Sequence, residues 1–224
     1  MSFTVDRSAA LATGIPGLPP EVATAWEKAV RATYEPDEMM SDAITVFAQY
    51  MTREAENQVI AFFWSPIGQR LRAARQAFWK TPAEALDTLL NREQALARSN
   101  PHLHKLYFDL GVAIQGDPDF AETHLLLHAL MTGSEGHIQM NEDIERFVAA
   151  VRKPVPRNRT VDAMRLLPNA SKSELQTIVD FYHSGAGQQL ARAEVAMYPA
   201  VIKAGLPELS IRLSELLKGQ TKSK

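Results

Sequence analysis

Phe62 to Leu71 reads FFWSPIGQRL, and Phe181 to Leu190 reads FYHSGAGQQL. Both stretches carry F-x-x-S-x-x-G-Q-x-L at a constant offset of 119 residues, Ser65 to Ser184 and Gly68 to Gly187 alike. The repetition predicts a duplicated helical unit, and each copy reads as a corner between two helices. Upstream, Val59, Phe62 and Phe63 in the first copy, and Leu175, Ile178, Val179 and Tyr182 in the second, recur at three- and four-residue spacing. Such spacing buries one face of a helix. The serine should end each of these helices. Pro66 disfavours the α conformation at Ser65 yet suits the first position of a new helix, and the Ser65 hydroxyl can accept from that helix's unpaired amides. Ser184 caps in the same way, with Gly185 in the place of Pro66. Downstream, Ile67, Leu71, Ala74 and Phe78 match Ala186, Leu190, Ala193 and Met197 as a second helical stripe. Gly68 and Gly187 lie one turn in, where glycine costs roughly 1 kcal/mol against alanine. The predicted reason is a preceding helix that crosses too closely for a Cβ.

Outward from the corners the chain reads as helix after helix. Gly14 to Pro20 is an irregular lead-in, and Pro19-Pro20 opens a helix with Val22, Trp26, Ala29 and Val30 that Glu35-Pro36 ends. The next helix spans about Asp37 to Met51, with Met40, Ile44, Phe47 and Met51 as its stripe. Thr52 caps the first corner's leading helix and Ser171 the second's, where Glu174 completes a capping box that Ala55 cannot. Thr81-Pro82-Ala83-Glu84 opens a helix with Leu86, Leu89, Leu90 and Leu96. An insert of about residues 100–153 has no partner in the duplication; Asn100-Pro101 and Asp117-Pro118 open helices in it, and Thr132-Gly133-Ser134 breaks the second. A further helix carries Ile144, Phe147, Val148 and Val151, before the basic connector 152–160. Pro199 should kink or break the helix after the second corner, Ala204-Gly205 should end it, and Pro207 should open a last helix with Leu209, Leu213, Leu216 and Leu217. No segment alternates as a strand does. The expected architecture is one all-α domain over residues 1–224 with roughly ten helices. Its repeat halves are about 37–98 and 161–217, flanking the helical insert.

Composition excludes several functions. Lys+Arg 24 against Asp+Glu 26 gives a net charge of −2, which lacks the basic footprint of a nucleic-acid binder. With no cysteine, thiol catalysis, disulfides and cysteine metal sites are excluded together. No run of 18 apolar residues occurs, so no membrane span is expected, and the first twenty residues lack the basic and apolar regions of a secretory signal. Gly-rich phosphate loops are absent, and no cofactor is expected.

The corner positions Phe62, Phe63, Ser65, Pro66, Gly68, Gln69 and Leu71, and again Phe181, Tyr182, Ser184, Gly187, Gln188 and Leu190, resemble an uncharacterised bacterial family known as a domain of unknown function. Its members commonly carry a helix ending in Phe-Tyr, then Ser-Pro-x-Gly and an amphipathic helix. The similarity covers about 45 residues of each half; Gly185 departs from the usual proline, and the insert has no match. The resemblance implies a helical fold and an exported protein, periplasmic or secreted, with no implied activity.

Candidate chemistry is sparse. Tyr182, His183 and Ser184 place a hydroxyl beside an imidazole, but the first copy holds Phe63, Trp64 and Ser65 there, so the corner can be built without the histidine. Ser65, Pro66, Gly68, Ser184 and Gly187 are therefore read as structural. The aromatic residues Trp64, Trp79, Tyr182 and His183 are the candidate ligand contacts, beside the commoner reading of an aromatic set as core. His124 and His128 share a helical face and could bind a metal if His137 or Glu135 folded back; the alternative is a solvated or hydrogen-bonded helix edge. His102 and His104 point apart on their helix. Arg152, Lys153, Arg157 and Arg159 could meet an acidic partner or phosphate, though charged loops are more often solvated. Two readings of function follow. The first is a non-enzymatic helical module that binds a protein or an apolar small molecule through grooves between its halves. The second is a metal-dependent enzyme or metal carrier built on the His124 and His128 face.

Overall fold

The computed structural model describes residues 2–78, 85–114, 118–134, 138, 141–151 and 158–221. Among them are twelve α-helices and a short 3-10 turn at Ala12–Gly14, with no strand. The helices are α1 (Ser2–Ala10), α2 (Pro20–Thr33), α3 (Pro36–Tyr50), α4 (Arg53–Trp64), α5 (Pro66–Phe78) and α6 (Leu86–Ser99). There follow α7 (Pro101–Ile114), α8 (Pro118–Gly133), α9 (Glu142–Val151), α10 (Arg159–Leu166), α11 (Lys172–His183) and α12 (Gly185–Thr221). The chain divides into two compact units, one of residues 1–47, 117–155 and 195–224, the other of residues 48–116 and 156–194.

In the first unit Trp26, Ala29 and Val30 of α2 are fully buried beside Leu130 of α8, Ile144 of α9 and the α12 residues Ile202, Leu209, Leu213 and Leu217. Two buried polar tips are satisfied by backbone carbonyls, Trp26 Nε1 donating to Ser8 O at 2.8 Å and the Tyr34 hydroxyl to Ile202 O at 2.9 Å. A buried donor left without a partner costs about 1–3 kcal/mol, so these bonds fix the register of α1 and α12 against α2.

α1 is a helix that the sequence reading did not place, and its described buried residues are Val5, Ser8 and Ala9. Three expectations are corrected here. In α3 the buried face runs through Met39 and Ala43, while Met40 and Ile44 are 47% and 62% exposed. Of the expected stripe, Met51 is buried and Phe47 half-buried, but in place of Met40 and Ile44 the core accepts the slimmer pair Met39 and Ala43. α12 is one helix of 37 residues through Pro199, Gly205 and Pro207, with no break at Ala204-Gly205 and no separate last helix. It continues because Val201, Ile202, Leu209, Leu213 and Leu217 form one unbroken buried stripe, which offsets the two missing proline amides. Gly205 stays within it because a Cβ there would meet the Tyr34 ring at 2.5 Å. Finally, α10 occupies the end of what reads as a connector. The Asn158 side chain caps it by accepting from Val161 N at 3.1 Å, and Thr160, Val161 and Ala163 are buried. The Thr81 capping box and most of the basic connector, residues 152–157, lie outside the described residues.

Both corners belong to the second unit, and each position of the shared pattern has a physical task. Ser65 and Ser184 take extended backbone (φ −68°, ψ 157° and φ −68°, ψ 162°), which ends one helix and caps the next. Each hydroxyl donates backward, to Phe62 O or Phe181 O at 2.6 Å, and accepts forward, from Gly68 N at 3.2 Å or Gly187 N at 3.1 Å. The glutamine reaches back to a carbonyl at the end of the preceding helix, Gln69 Nε2 to Trp64 O at 3.0 Å and Gln188 Nε2 to His183 O at 3.2 Å. A Cβ on either glycine would stand 2.0 Å from the Phe62 or Phe181 carbonyl oxygen, so only glycine permits the crossing. Leu71 and Leu190 are buried.

The corners also meet each other, through residues that share a place in the pattern. The Phe62 and Phe181 rings stack with centroids 3.7 Å apart and planes within 1°. Arg75 and Glu194, again 119 residues apart, form an ion pair at 2.6 Å. Gln189 accepts from Thr52 N at 2.9 Å, at the head of α4, and its counterpart Arg70 donates to Glu174 and to Asn169 O (3.3 Å) at the head of α11.

Candidate functional site

A concave feature of the second unit lies between α6, α7 and α10. Asn100 makes it possible by joining α6 to α7 in a tight turn: its amide donates to Leu96 O at 2.8 Å, and its side chain accepts from Leu103 N at 3.1 Å. Pro101 follows at the first helical position, where its missing N–H has no cost. The turn sets one face of α6, with Arg92, Leu96 and Ser99 at helical spacing, against Leu103 and Tyr107 of α7. Met164 of α10 and the loop from Pro168 to Ser171 complete a groove of about 570 Å³.

Its polar groups are largely committed to the fold. The Tyr107 hydroxyl donates to Leu167 O at 2.8 Å and so ties the α10–α11 loop to α7. Burial pushes this phenol up, opposed by a backbone hydrogen bond from Ala170 and by the nearby Arg70 and Arg92 guanidinium groups. Ser99 Oγ donates to Ala95 O at 2.9 Å. Ser171 and Glu174 form a complete capping box, with Ser171 N donating to the carboxylate at 2.7 Å and Glu174 N donating to Ser171 Oγ at 3.3 Å. The Ser171 hydroxyl also donates to the Glu174 carboxylate at 2.8 Å, within the capping box that starts α11. Leu96, Leu103 and Met164 give the groove an apolar floor, and Arg92 is part of its lining.

The sequence-marked residues fall elsewhere. Trp64 is on the surface at 73% exposure, His183 is exposed, and Tyr182 is buried; Trp79 lies outside the described residues. The Tyr182 hydroxyl accepts from Arg75 Nη2 at 2.7 Å, and Arg75 also holds Glu194. Burial raises the Tyr182 phenol far above its ordinary range, with Arg75 opposing and Glu194 adding to the rise, so it stays protonated and serves as no base. Trp64, Tyr182 and His183 therefore line no common cavity with the groove residues. His128 is exposed on α8, while the His124 side chain and the whole of His137 and Glu135 lie outside the description. Among the described residues no three His, Asp or Glu gather as a metal would need. His104 instead pairs with Glu93 of α6, and His102 is exposed. Arg92, Tyr107 and Met164 were not marked in the sequence as ligand contacts. The available signal was the helical spacing of Arg92, Leu96 and Ser99, but nothing local shows that α10 returns to close the groove.

These features describe an all-helical protein with a groove in its second unit. Residues 37–83, which include α3, α4 and α5, match the model of a family described as an uncharacterized protein conserved in bacteria, DUF2059. The match takes in the first corner and not the second. No curated protein and no solved structure matches the chain. Among the described residues no helix is long and apolar enough to cross a membrane.

Proposed function

We propose that the protein is a non-catalytic helical binding module that takes a small apolar molecule into the groove between α6, α7 and α10. The carrying observation is the groove itself, about 570 Å³ with Leu96, Leu103 and Met164 inside it. Ligand pockets of roughly 300–1,000 Å³ with an apolar lining and few polar groups suit molecules of this size. This reading takes the two corners as copies of one structural unit, which their matching hydrogen bonds support, and gives them a scaffolding role. It also places the protein in the periplasm or outside the cell, on the strength of the family resemblance, and fractionation of cells producing the native protein tests that address.

A dye that is apolar and anionic, 8-anilinonaphthalene-1-sulfonate, tests the site. Its fluorescence should titrate to one saturable site per chain. Leu103→Glu and Met164→Glu should each weaken it about tenfold or more, with unchanged helical circular dichroism. Affinity that ignores both substitutions would remove the groove as the site.

A further inference from the structure

We infer that the turn of α12 from Glu194 to Met197 is a hinge about which the two units move as separate bodies. The boundary between the units falls inside this helix, directly after Glu194. On the second unit's side α12 is held: Ala186, Leu190 and Ala193 are buried, and Glu194 is paired with Arg75 at 2.6 Å. On the first unit's side it is held again from Val201 and Ile202 onward, both of them buried. None of residues 194–200 is buried. Val195 is 39% exposed, and Met197 packs against the first unit's core only in part. The same turn lacks a hydrogen bond. An α-helix joins each amide to the carbonyl four residues back, and Pro199 has no amide to give to Val195 O. Helices bend at proline, and a hinge needs only a few residues that can absorb the change in backbone angle.

The second proline of α12 provides the contrast. Pro207 likewise gives no amide to Lys203 O, but both sides of that gap belong to the first unit and are fastened to α2 or the core. The Tyr34 hydroxyl donates to Ile202 O at 2.9 Å, Gly205 lies against the Tyr34 ring, and Leu209 is fully buried. The gap at Pro199 adjoins the unit boundary instead, beside the exposed Val195. The other helical crossing of the boundary offers little resistance to bending: α3 passes it after Phe47, and none of residues 44–50 is buried. The remaining two crossings lie outside the described residues. The groove is lined by the second unit alone, so the hinge stands or falls apart from binding there.

The chain has no cysteine, so pairs of introduced cysteines place spin labels at chosen sites of the full chain. Three pairs of exposed positions serve. Ile60→Cys with Ile211→Cys spans the units, Glu21→Cys with Ile211→Cys lies within the first, and Ile60→Cys with Lys105→Cys lies within the second. Double electron–electron resonance should give the spanning pair a distance distribution at least about twice as wide as that of either internal pair. Pro199→Ala restores the amide opposite Val195 O and should narrow the spanning distribution to about half its width, while Pro207→Ala leaves it unchanged. Alanine favours the helix, so both variants should fold, and circular dichroism checks it. A spanning distribution as narrow as the internal ones overturns the hinge. So does a wide one that Pro199→Ala leaves unchanged or that Pro207→Ala narrows equally, because the motion would then arise elsewhere in the chain.

Discussion

The two corners are held by the same three kinds of hydrogen bond, with paired lengths of 2.6 and 2.6 Å, 3.2 and 3.1 Å, and 3.0 and 3.2 Å, yet they are covered very differently. Around the second corner Leu175, Ile178, Val179, Tyr182, Ala186, Leu190 and Ala193 are all buried. Around the first, Val59, Gly68 and Leu71 are buried, whereas Phe63, Ile67, Ala74 and Phe78 are half-buried and Ile60 is exposed. The geometry of the corner is thus local chemistry, set by a serine, a glycine and a glutamine at fixed spacing. Its burial is set by what other segments bring to it. A motif can repeat while its environment does not.

The largest expected effect sets the two glycines against each other. Alanine at either would push a Cβ to 2.0 Å from a backbone carbonyl, and relief requires one helix to move away from the other. The helices of the second corner are fixed by buried side chains on both sides of the bend, so Gly187→Ala should cost about 3 kcal/mol or more. α4 and α5 carry half-exposed side chains and have room to shift, so Gly68→Ala should cost about 1–2 kcal/mol. Urea unfolding of the two variants decides, and equal losses would break the comparison by showing that burial does not govern how the corner yields.

A smaller effect sharpens the same contrast one turn earlier. Val179→Ala removes two methyl groups from a fully packed position and should cost about 2 kcal/mol, whereas Ile60→Ala at the equivalent exposed position should stay within about 0.5 kcal/mol. A loss at Ile60 as large as that at Val179 would mean that the outer face of α4 is covered within the chain in solution.

Much of this architecture was legible in the residues. Pro and Gly punctuation with Ser, Thr and Asn caps marks α2, α4, α5, α7 and α11, because capping acts over three or four residues and leaves its signature in the sequence. The face of α3 was not legible. Met40 and Ile44 make as good a stripe as Met39 and Ala43, and only the neighbours choose between them. The continuity of α12 escaped for a related reason: two prolines and a glycine are local arguments for a break, and a stripe of buried side chains from Val201 to Leu217 outweighs them. The groove was less legible still, because it needs Arg92 and Met164, 72 positions apart in sequence, to face one cavity.

The smallest expected effect concerns the cap that precedes each corner. Glu174 completes the box at the head of α11, while the residue at the matching place in α4, Ala55, is buried and could not be a carboxylate without desolvation. The Ser171 backbone amide, then its hydroxyl, then the Arg70 guanidinium hold the Glu174 carboxyl below its ordinary range. Since folding lowers this pKa, the carboxylate stabilises the fold at pH values above the unfolded-state value, near 4, and that contribution is lost as pH falls through the lower folded-state value. Glutamine can replace the acceptor but not the charge, so Glu174→Gln should cost only about 0.5 kcal/mol at pH 7, the side chain being solvent-screened. Thermal melts of both proteins from pH 7 down to pH 3 should show the gap closing below about pH 4 as the natural side chain gains its proton. A gap that persists unchanged at pH 3 would assign the loss to the shape of the cap instead of its charge, and would leave the pairing of Arg70 with Glu174 without a part in joining the two corners.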